Sequence, residues 1–484
     1  MTHERQRPRQ PGTRSLKRKR WTRLALAAMV ILLPIAWFAG SDEEPAWINQ
    51  PLADAGGIAD PSALARWSAA RDPSLLLAVT LSGGGARAAA FGYGVLRELQ
   101  DTRFTWNGRP SNLLDATDVV AGVSGGSIIA AYYAAFGEQG LQGFEQDFLY
   151  RDFQNSLLLQ ALVPGNLRKL ASPRFGRSNL LEQRLDTLYR GQTFGDVTAR
   201  SRHPQLLITA TDLAQGAGFE FTAEQFALLC SDFASVPLSF AVAASSSVPV
   251  LLSPMSLRNY SQDCAERHIE PRPPQAQRGG FRARLFELQQ RSYLDAQARP
   301  YIHLVDGGVA DNLGIRRLLD RALAGQGVRE GFSEVVIAPG SVSRMVLITV
   351  NAERDPNQRL EASAEVPGPL QVLDAMRFGS GSRATHETQE FLTDLVAQWR
   401  ESLRRGAPHD IFAPDARIHV VQVNLRDTPV DTDEQAHLLR IPTALSILPQ
   451  EVDQLVAAGR SVLRHSAAFQ ALRDDLGSPA AATR

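Results

Sequence analysis

The chain has 484 residues, 44% apolar and 21% charged, with 51 Lys or Arg balanced by 51 Asp or Glu. The apolar share supports a large buried core and excludes an intrinsically disordered chain, and the zero net charge excludes the basic footprint of a nucleic-acid-binding protein. Two cysteines, Cys230 and Cys264, are too few for a disulfide framework or a cysteine-rich metal site. A bond between them and a pair of buried free thiols both stay open.

In chain order, the first element is a basic tail. Residues 1–23 hold nine Lys or Arg against Glu4 alone, and residues 24–40 then form a 17-residue run without a charge. At about 1.5 Å per residue such a helix spans ~26 Å, close to the ~30 Å hydrocarbon core of a bilayer. With Trp21 and Trp37 near its edges and positive charge before it, the run is expected to be a single transmembrane helix, basic end in the cytosol and the rest of the chain across the membrane. Ala39-Gly40-Ser41 loosely fits a signal-peptidase site, but the apolar run exceeds the roughly 7 to 15 residues of a signal peptide, which favours the anchor. Residues 41–71 read as a linker, within which 49–70 is either linker or an ancillary helix before the core.

The chemistry begins at residue 75. Leu75-Leu76-Leu77-Ala78-Val79-Thr80-Leu81 is a buried-strand pattern that runs into Gly83-Gly84-Gly85-Ala86-Arg87 and then an apolar helical segment. Consecutive glycines let backbone N–H groups converge on one point, the construction of an oxyanion hole or a phosphate cradle. The glycines also satisfy Gly-x-Gly-x-x-Ala of a dinucleotide fold, but the acidic residue wanted about 20 positions on is missing, Asp115 and Asp118 lying too far along. No Gly-Lys-Ser/Thr follows, which argues against a P-loop.

A second strand, Val119-Val120-Ala121, leads through Gly122-Val123-Ser124-Gly125-Gly126 into a helix-forming run. This is the layout of a nucleophile elbow: a serine on a tight strand-to-helix turn whose small neighbours at Gly122 and Gly126 avoid crowding, with the following helix's positive end near the serine. Further on come the small-residue block Ala244-Ser245-Ser246-Ser247-Val248-Pro249 and an Arg-, Gln- and Pro-rich stretch over 253–299, which reads as an insertion with a solvated loop. Tyr301-Ile302-His303-Leu304-Val305 is a third strand candidate and ends in Asp306-Gly307-Gly308, which places a carboxylate at the end of a strand where parallel α/β sheets gather their chemistry. Residues 345–351 and 418–423 give more buried strands, and helices over 389–404 and 450–463 are expected to cover the sheet.

The glycine loop, the elbow and the Asp-Gly-Gly turn, in that order, resemble the patatin-like phospholipase family across residues 72–465. The resemblance extends to the block before Pro249 and to Ile441-Pro442-Thr443 with Val452-Asp453-Gln454-Leu455, and it departs in Ser247, where alanine is usual, and in Asn312-Leu313-Gly314, where the family often has Asn-x-Pro. It implies a three-layer α/β/α sandwich with a mostly parallel sheet, Ser124 as nucleophile, Asp306 as its general base, and Gly83, Gly84, Gly85 and Arg87 as oxyanion hole, with Gly122, Gly126, Gly307 and Gly308 as motif support. The resemblance to bacterial members, taken with the expected anchor, gives the expectation of a bacterial inner-membrane protein with a periplasmic catalytic domain, and residues 466–484 read as a C-terminal tail.

A carboxylate of ordinary pKa, about 4, is a poor base for a hydroxyl. A two-residue site therefore needs enclosure by apolar neighbours such as Leu304 and Val305, which also strengthens the oxyanion donors. The rival base, His303, lies three residues from Asp306 on a strand and is expected on the opposite face. His203, His386 and His419 sit in no motif. The expectation is a serine acyl hydrolase acting on membrane phospholipids or other lipid esters, without cofactor, metal or nucleic acid. A non-catalytic membrane-tethered module and a lipid acyltransferase are the alternatives, and no protein partner is legible.

Overall fold

A computed structural model describes residues 47–53, 69–200, 203–266, 280–324, 328–332, 335, 337–354, 364–405 and 411–477. The expected transmembrane run over 24–40 lies outside the described residues. Among those described, no helix is long and apolar enough to cross a membrane.

The strands are β1 (Leu75–Leu81), β2 (Arg103–Trp106), β3 (Arg109–Asn112), β4 (Val119–Val123), β5 (Gln205–Asp212), β6 (Ala217–Glu220), β7 (Met255–Arg258), β8 (Tyr301–Val305), β9 (Val342–Asn351) and β10 (Phe412–Asn424). Eight of them form one sheet in the order β10-β9-β1-β4-β5-β8-β7, with β6 also on β5, while β2 and β3 make a separate hairpin. The five strands from β10 to β5 are parallel. β6 and β8 pair antiparallel with β5, and β7 antiparallel with β8.

The continuous apolar run of β1 is explained by burial on both faces. Leu75, Leu77, Val79 and Leu81 join one core, and Leu76 and Ala78 join the other. The first core is filled by α1 (Gly85–Asp101), α2 (Gly125–Gly140), α5 (Arg177–Tyr189), α6 (Leu238–Ser245), α8 (Pro449–His465) and α9 (Ala467–Gly477), with the short helices α3 (Phe153–Ala161) and α4 (Pro164–Leu170) before α5. The second lies under α7 (Pro369–Arg404) and the helix Arg316–Ala324.

Three expectations need correction. The strand before Asp306 does not belong to the parallel set: β8 runs against β5. The region 253–299 is more than a solvated insertion, since it supplies the edge strand β7 and a helix, Phe281–Ser292. Residues 467–477 fold as α9, whose Asp475 takes charge-assisted hydrogen bonds from Arg344 on β9 and Arg417 on β10 and a 2.9 Å contact with His419. The linker is partly docked as well. Asn49 is buried, its amide donating to Ser231 Oγ and to the Arg258 carbonyl, both at 2.9 Å.

Candidate active site

Register explains how two residues 182 positions apart meet. Val123 pairs with Thr209 and the chain then leaves β4, so Ser124 lies level with Ala210. β5 overhangs β4 by three residues, and β8 pairs with that overhang, Val305 opposite Thr211, running back towards the same level. Asp306 therefore arrives beside Ala210 from the other flank of β5. Ser124 Oγ donates a 2.9 Å hydrogen bond to Asp306 Oδ2, and both residues are buried.

Ser124 has φ +49° and ψ −122°, a conformation that L-residues rarely hold and that marks a tight elbow between β4 and α2. The turn is over-determined by its neighbours. The Ser124 N–H donates to Ser245 Oγ at 2.8 Å, Ser245 in turn donates to the Thr209 carbonyl at 2.6 Å, and the Ser124 carbonyl accepts from Ser127 Oγ at 2.6 Å. There is no room for side chains: a Cβ on Gly126 would lie 2.2 Å from the Leu81 carbonyl oxygen, and one on Gly122 2.5 Å from Ser127 Cα.

Asp306 is fixed at three points. Its Oδ1 accepts from the Gly308 N–H at 2.8 Å, its N–H donates to the Ser247 carbonyl at 2.9 Å, and its carbonyl accepts from Thr211 Oγ1 at 2.8 Å. Gly307 packs so closely on β5 that its Cβ would fall 2.1 Å from the Thr209 carbonyl. The carboxylate thus presents Oδ2 to the serine while Oδ1 is held by the turn.

The glycine loop lies in backbone contact with the elbow, because a Cβ on Gly125 would meet the Gly85 carbonyl at 2.0 Å. Gly83 N–H donates to the Asn312 carbonyl and Ala86 N–H to the Ala444 carbonyl. Among the described residues, the Gly84 and Gly85 N–H groups donate to no backbone carbonyl, and they sit at the positive end of α1. Arg87 is buried; its Nε donates to the Ala352 carbonyl at 2.9 Å and its Nη1 to the Ile441 carbonyl at 2.6 Å. It ties the start of α1 to the segments after β9 and before α8.

A small cavity of about 30 Å³ reaches Asp306 and is bordered by Gly83, Asn312, Glu353 and Thr443. That is room for a water rather than an acyl chain. The buried Glu353 carboxyl is pushed above the usual range by desolvation, against the opposing pull of Arg426. Among the described residues no group of three or more His, Cys, Asp or Glu is arranged to hold a metal.

The histidines fall elsewhere. His303 Nδ1 contacts Ser256 Oγ at 2.8 Å on the exposed side of β8, and His203 Nδ1 contacts the Ala134 carbonyl. Sequence reasoning gave no role to Ser245, Asn312, Glu353 or Thr211. Ser245 stood inside a recognised small-residue block, but its contact with the elbow depends on how α6 lies on β5.

A serine at a strand-to-helix elbow, hydrogen-bonded to a buried carboxylate beside a glycine loop on a mostly parallel α/β sheet, defines a class of proteins built for nucleophilic acyl chemistry. Residues 79–319 match the patatin-like phospholipase family. The chain carries a patatin-like phospholipase domain with the patatin α/β fold, which supports a lipid acyl hydrolase activity. Comparison with solved structures gives human GIVD cytosolic phospholipase A2 at TM-score 0.42 and 11% identity, covering 90% of this chain and 68% of that one. VipD from Legionella pneumophila follows at TM-score 0.33 and 11% identity, covering 82% and 67%. ExoU from Pseudomonas aeruginosa, in complex with SpcU, gives TM-score 0.23 and 16% identity, with 66% of this chain and 53% of that one covered. The comparison with characterised protein sequences gives no match.

Proposed function

We propose that the chain is a serine acyl hydrolase that cleaves phospholipid or other lipid acyl esters through Ser124 and Asp306. The observation that carries this reading is the 2.9 Å hydrogen bond from Ser124 Oγ to Asp306 Oδ2 beside a glycine loop. Ser124 Oγ attacks the acyl carbonyl carbon as its proton passes to Asp306 Oδ2, and the carbonyl oxygen takes up negative charge facing the Gly84 and Gly85 N–H groups. Collapse expels the alcohol, which takes the proton from Asp306, and leaves an acyl group on Ser124. Water then attacks the acyl-enzyme with Asp306 again accepting the proton, and fatty acid leaves as Ser124 recovers its hydrogen. Arg87 holds the loop rather than contacting the acyl group.

The apolar run over 24–40 anchors this domain at the bilayer, with the basic tail cytosolic and the catalytic domain on the opposite side of a bacterial inner membrane. The Cys230–Cys264 disulfide supports that side, since such bonds persist in oxidising compartments.

Release of fatty acid from mixed phospholipid vesicles, with chelator present, tests the reading. Ser124→Ala and Asp306→Asn are each expected to reduce release by about 1000-fold or more at unchanged circular dichroism. Normal turnover by either folded variant would reject the pair.

A further inference from the structure

A second buried carboxyl stands at the site and takes no part in the Ser124–Asp306 pair. Glu353 follows the end of β9, whose register with β1 sets Val350 level with Leu81, so it leaves the sheet at the edge where the glycine loop begins. Glu353 is 7% exposed, and its Oε2 has no hydrogen-bond partner among the described residues. The buried Thr443 Oγ1 has none there either. Both residues border the small cavity that reaches Asp306, together with Gly83 and Gly84 of the glycine loop.

The glycine loop fixes where these two side chains stand. Arg87 Nε donates to the Ala352 carbonyl at 2.9 Å and its Nη1 to the Ile441 carbonyl at 2.6 Å, while the Ala86 N–H donates to the Ala444 carbonyl at 2.7 Å. The Ala352 N–H donates to Ser82 Oγ at 2.9 Å, and the Glu353 N–H to Asn351 Oδ1 at 3.1 Å. The backbone beside Glu353 and beside Thr443 is therefore bonded to the strand end and loop that face the acyl oxygen, and the side-chain oxygens are left over. Arg426, Asn351, Thr385 and Arg87 all favour the charged form of Glu353, yet burial outweighs them and holds its pKa above the usual range. A carboxyl oxygen buried without a partner destabilises the fold, and at the wall of a reaction site it points to a reactant.

We propose that Glu353 and Thr443 hold the water that hydrolyses the acyl-enzyme, an assignment that rests on the acyl-hydrolase reading. Once Ser124 is acylated its Oγ carries no hydrogen, and Asp306 Oδ2 is free to accept one. Water in the cavity donates one hydrogen to Asp306 Oδ2 and the other to Glu353 Oε2, and it accepts a hydrogen bond from Thr443 Oγ1. Its remaining lone pair attacks the acyl carbon. The new C–O bond forms as Asp306 takes the proton, and the carbonyl oxygen becomes charged facing the Gly84 and Gly85 N–H groups. Collapse breaks the bond to Ser124 Oγ, which recovers the proton from Asp306, and fatty acid leaves. Glu353 neither gains nor loses a proton; it is a positioning residue. An alcohol has only the hydrogen that Asp306 removes and none for Glu353, so this arrangement favours hydrolysis over acyl transfer.

The test gives the full-length protein in detergent p-nitrophenyl butyrate, with methanol as a competing acceptor. It reads the ratio of butyric acid to methyl butyrate, the butyryl-Ser124 adduct by mass spectrometry, and the melting temperature. Glu353→Met removes the acceptor at similar volume. It is expected to lower the acid-to-ester ratio about tenfold, to let butyryl-Ser124 accumulate, and to leave the melting temperature unchanged or higher, since the unpaired carboxyl is gone. Glu353→Gln keeps a carbonyl acceptor and is expected to bring the ratio back to within about threefold of the unmodified protein. Thr443→Val, which removes only the hydroxyl, is expected to lower the ratio as well, and it decides the matter if Glu353→Met does not fold. An unchanged ratio in a folded Glu353→Met or Thr443→Val that still forms butyryl-Ser124 would overturn the assignment. So would equal slowing of adduct formation and breakdown with a lowered melting temperature in both Glu353 variants, the mark of a structural carboxyl. If the unmodified protein forms no butyryl-Ser124 and releases no p-nitrophenol, the hydrolase reading itself falls and takes the assignment with it.

Discussion

At the residue scale, the site depends on a serine that no catalytic scheme would single out. Ser245 bridges the Ser124 N–H and the Thr209 carbonyl, so it couples the elbow to the strand that separates Ser124 from Asp306. Its removal leaves two buried backbone groups unpaired, at a cost of about 1–3 kcal/mol each. Ser245→Ala is expected to lower the melting temperature and cut kcat about tenfold, because the loosened turn no longer holds Oγ against Oδ2. Steady-state kinetics beside thermal unfolding would check this, and unchanged kcat would make Ser245 a purely structural residue. Ser124 and Asp306 were legible because each sits among glycines whose absence of Cβ leaves a signature in the sequence. Ser245 was not, because one serine among three carries no mark of which hydroxyl faces the elbow.

Close backbone approach sets the arrangement of the elements. A Cβ on Gly459 of α8 would lie 2.2 Å from the Phe91 carbonyl of α1, and one on Gly94 of α1 would lie 2.2 Å from the Val456 carbonyl. Alanine gains about 1 kcal/mol of helix propensity over glycine. Here the overlap is with backbone that no rotamer change relieves, so the overpacking cost of about 1–3 kcal/mol wins. Gly459→Ala is therefore expected to lower unfolding free energy in denaturant titration, whereas Gly165→Ala, which meets nothing within 4 Å, should be neutral or slightly stabilising. A stabilised Gly459→Ala would contradict the packing account. The run of apolar residues in β1, β4 and β9 made these strands legible, since strands covered on both faces lose the alternation of half-buried ones. The direction of β8 was not, because a strand's composition does not say which way its neighbour runs. β7 was hidden in an Arg- and Pro-rich stretch whose only strand residues, among those described, are Met255-Ser256-Leu257-Arg258.

At the scale of the whole molecule, the sheet has two ends with different electrostatics. The end opposite the site holds Asp118, which accepts the Leu77 N–H at 2.8 Å, with Arg71 3.9 Å away. Desolvation by burial outweighs the guanidinium and pushes this carboxyl up to about 7. An acid raised in the folded state binds its proton more tightly there than in the unfolded chain, where its pKa is about 3.9. The resulting stability is fully present below about pH 4 and is lost as pH rises through about 7. Thermal unfolding across that window should show a decline with rising pH that Asp118→Asn flattens; an unchanged slope would place the proton elsewhere. The disulfide between Cys230 and Cys264, open from sequence, closes a 34-residue separation and carries the docked segment of residues 47–53, since Leu52 N–H donates to the Cys230 carbonyl at 2.8 Å. Pairing of this kind depends on where the chain brings two distant segments, which composition does not encode.

The account stands on Ser124 being an activated nucleophile. Incubation of the full-length protein with a fluorophosphonate, followed by peptide mass spectrometry, reads this directly. The account predicts a single phosphonyl adduct on the peptide containing Ser124, formed much more slowly in Asp306→Asn. An adduct on another serine, or none on a folded protein, would contradict it.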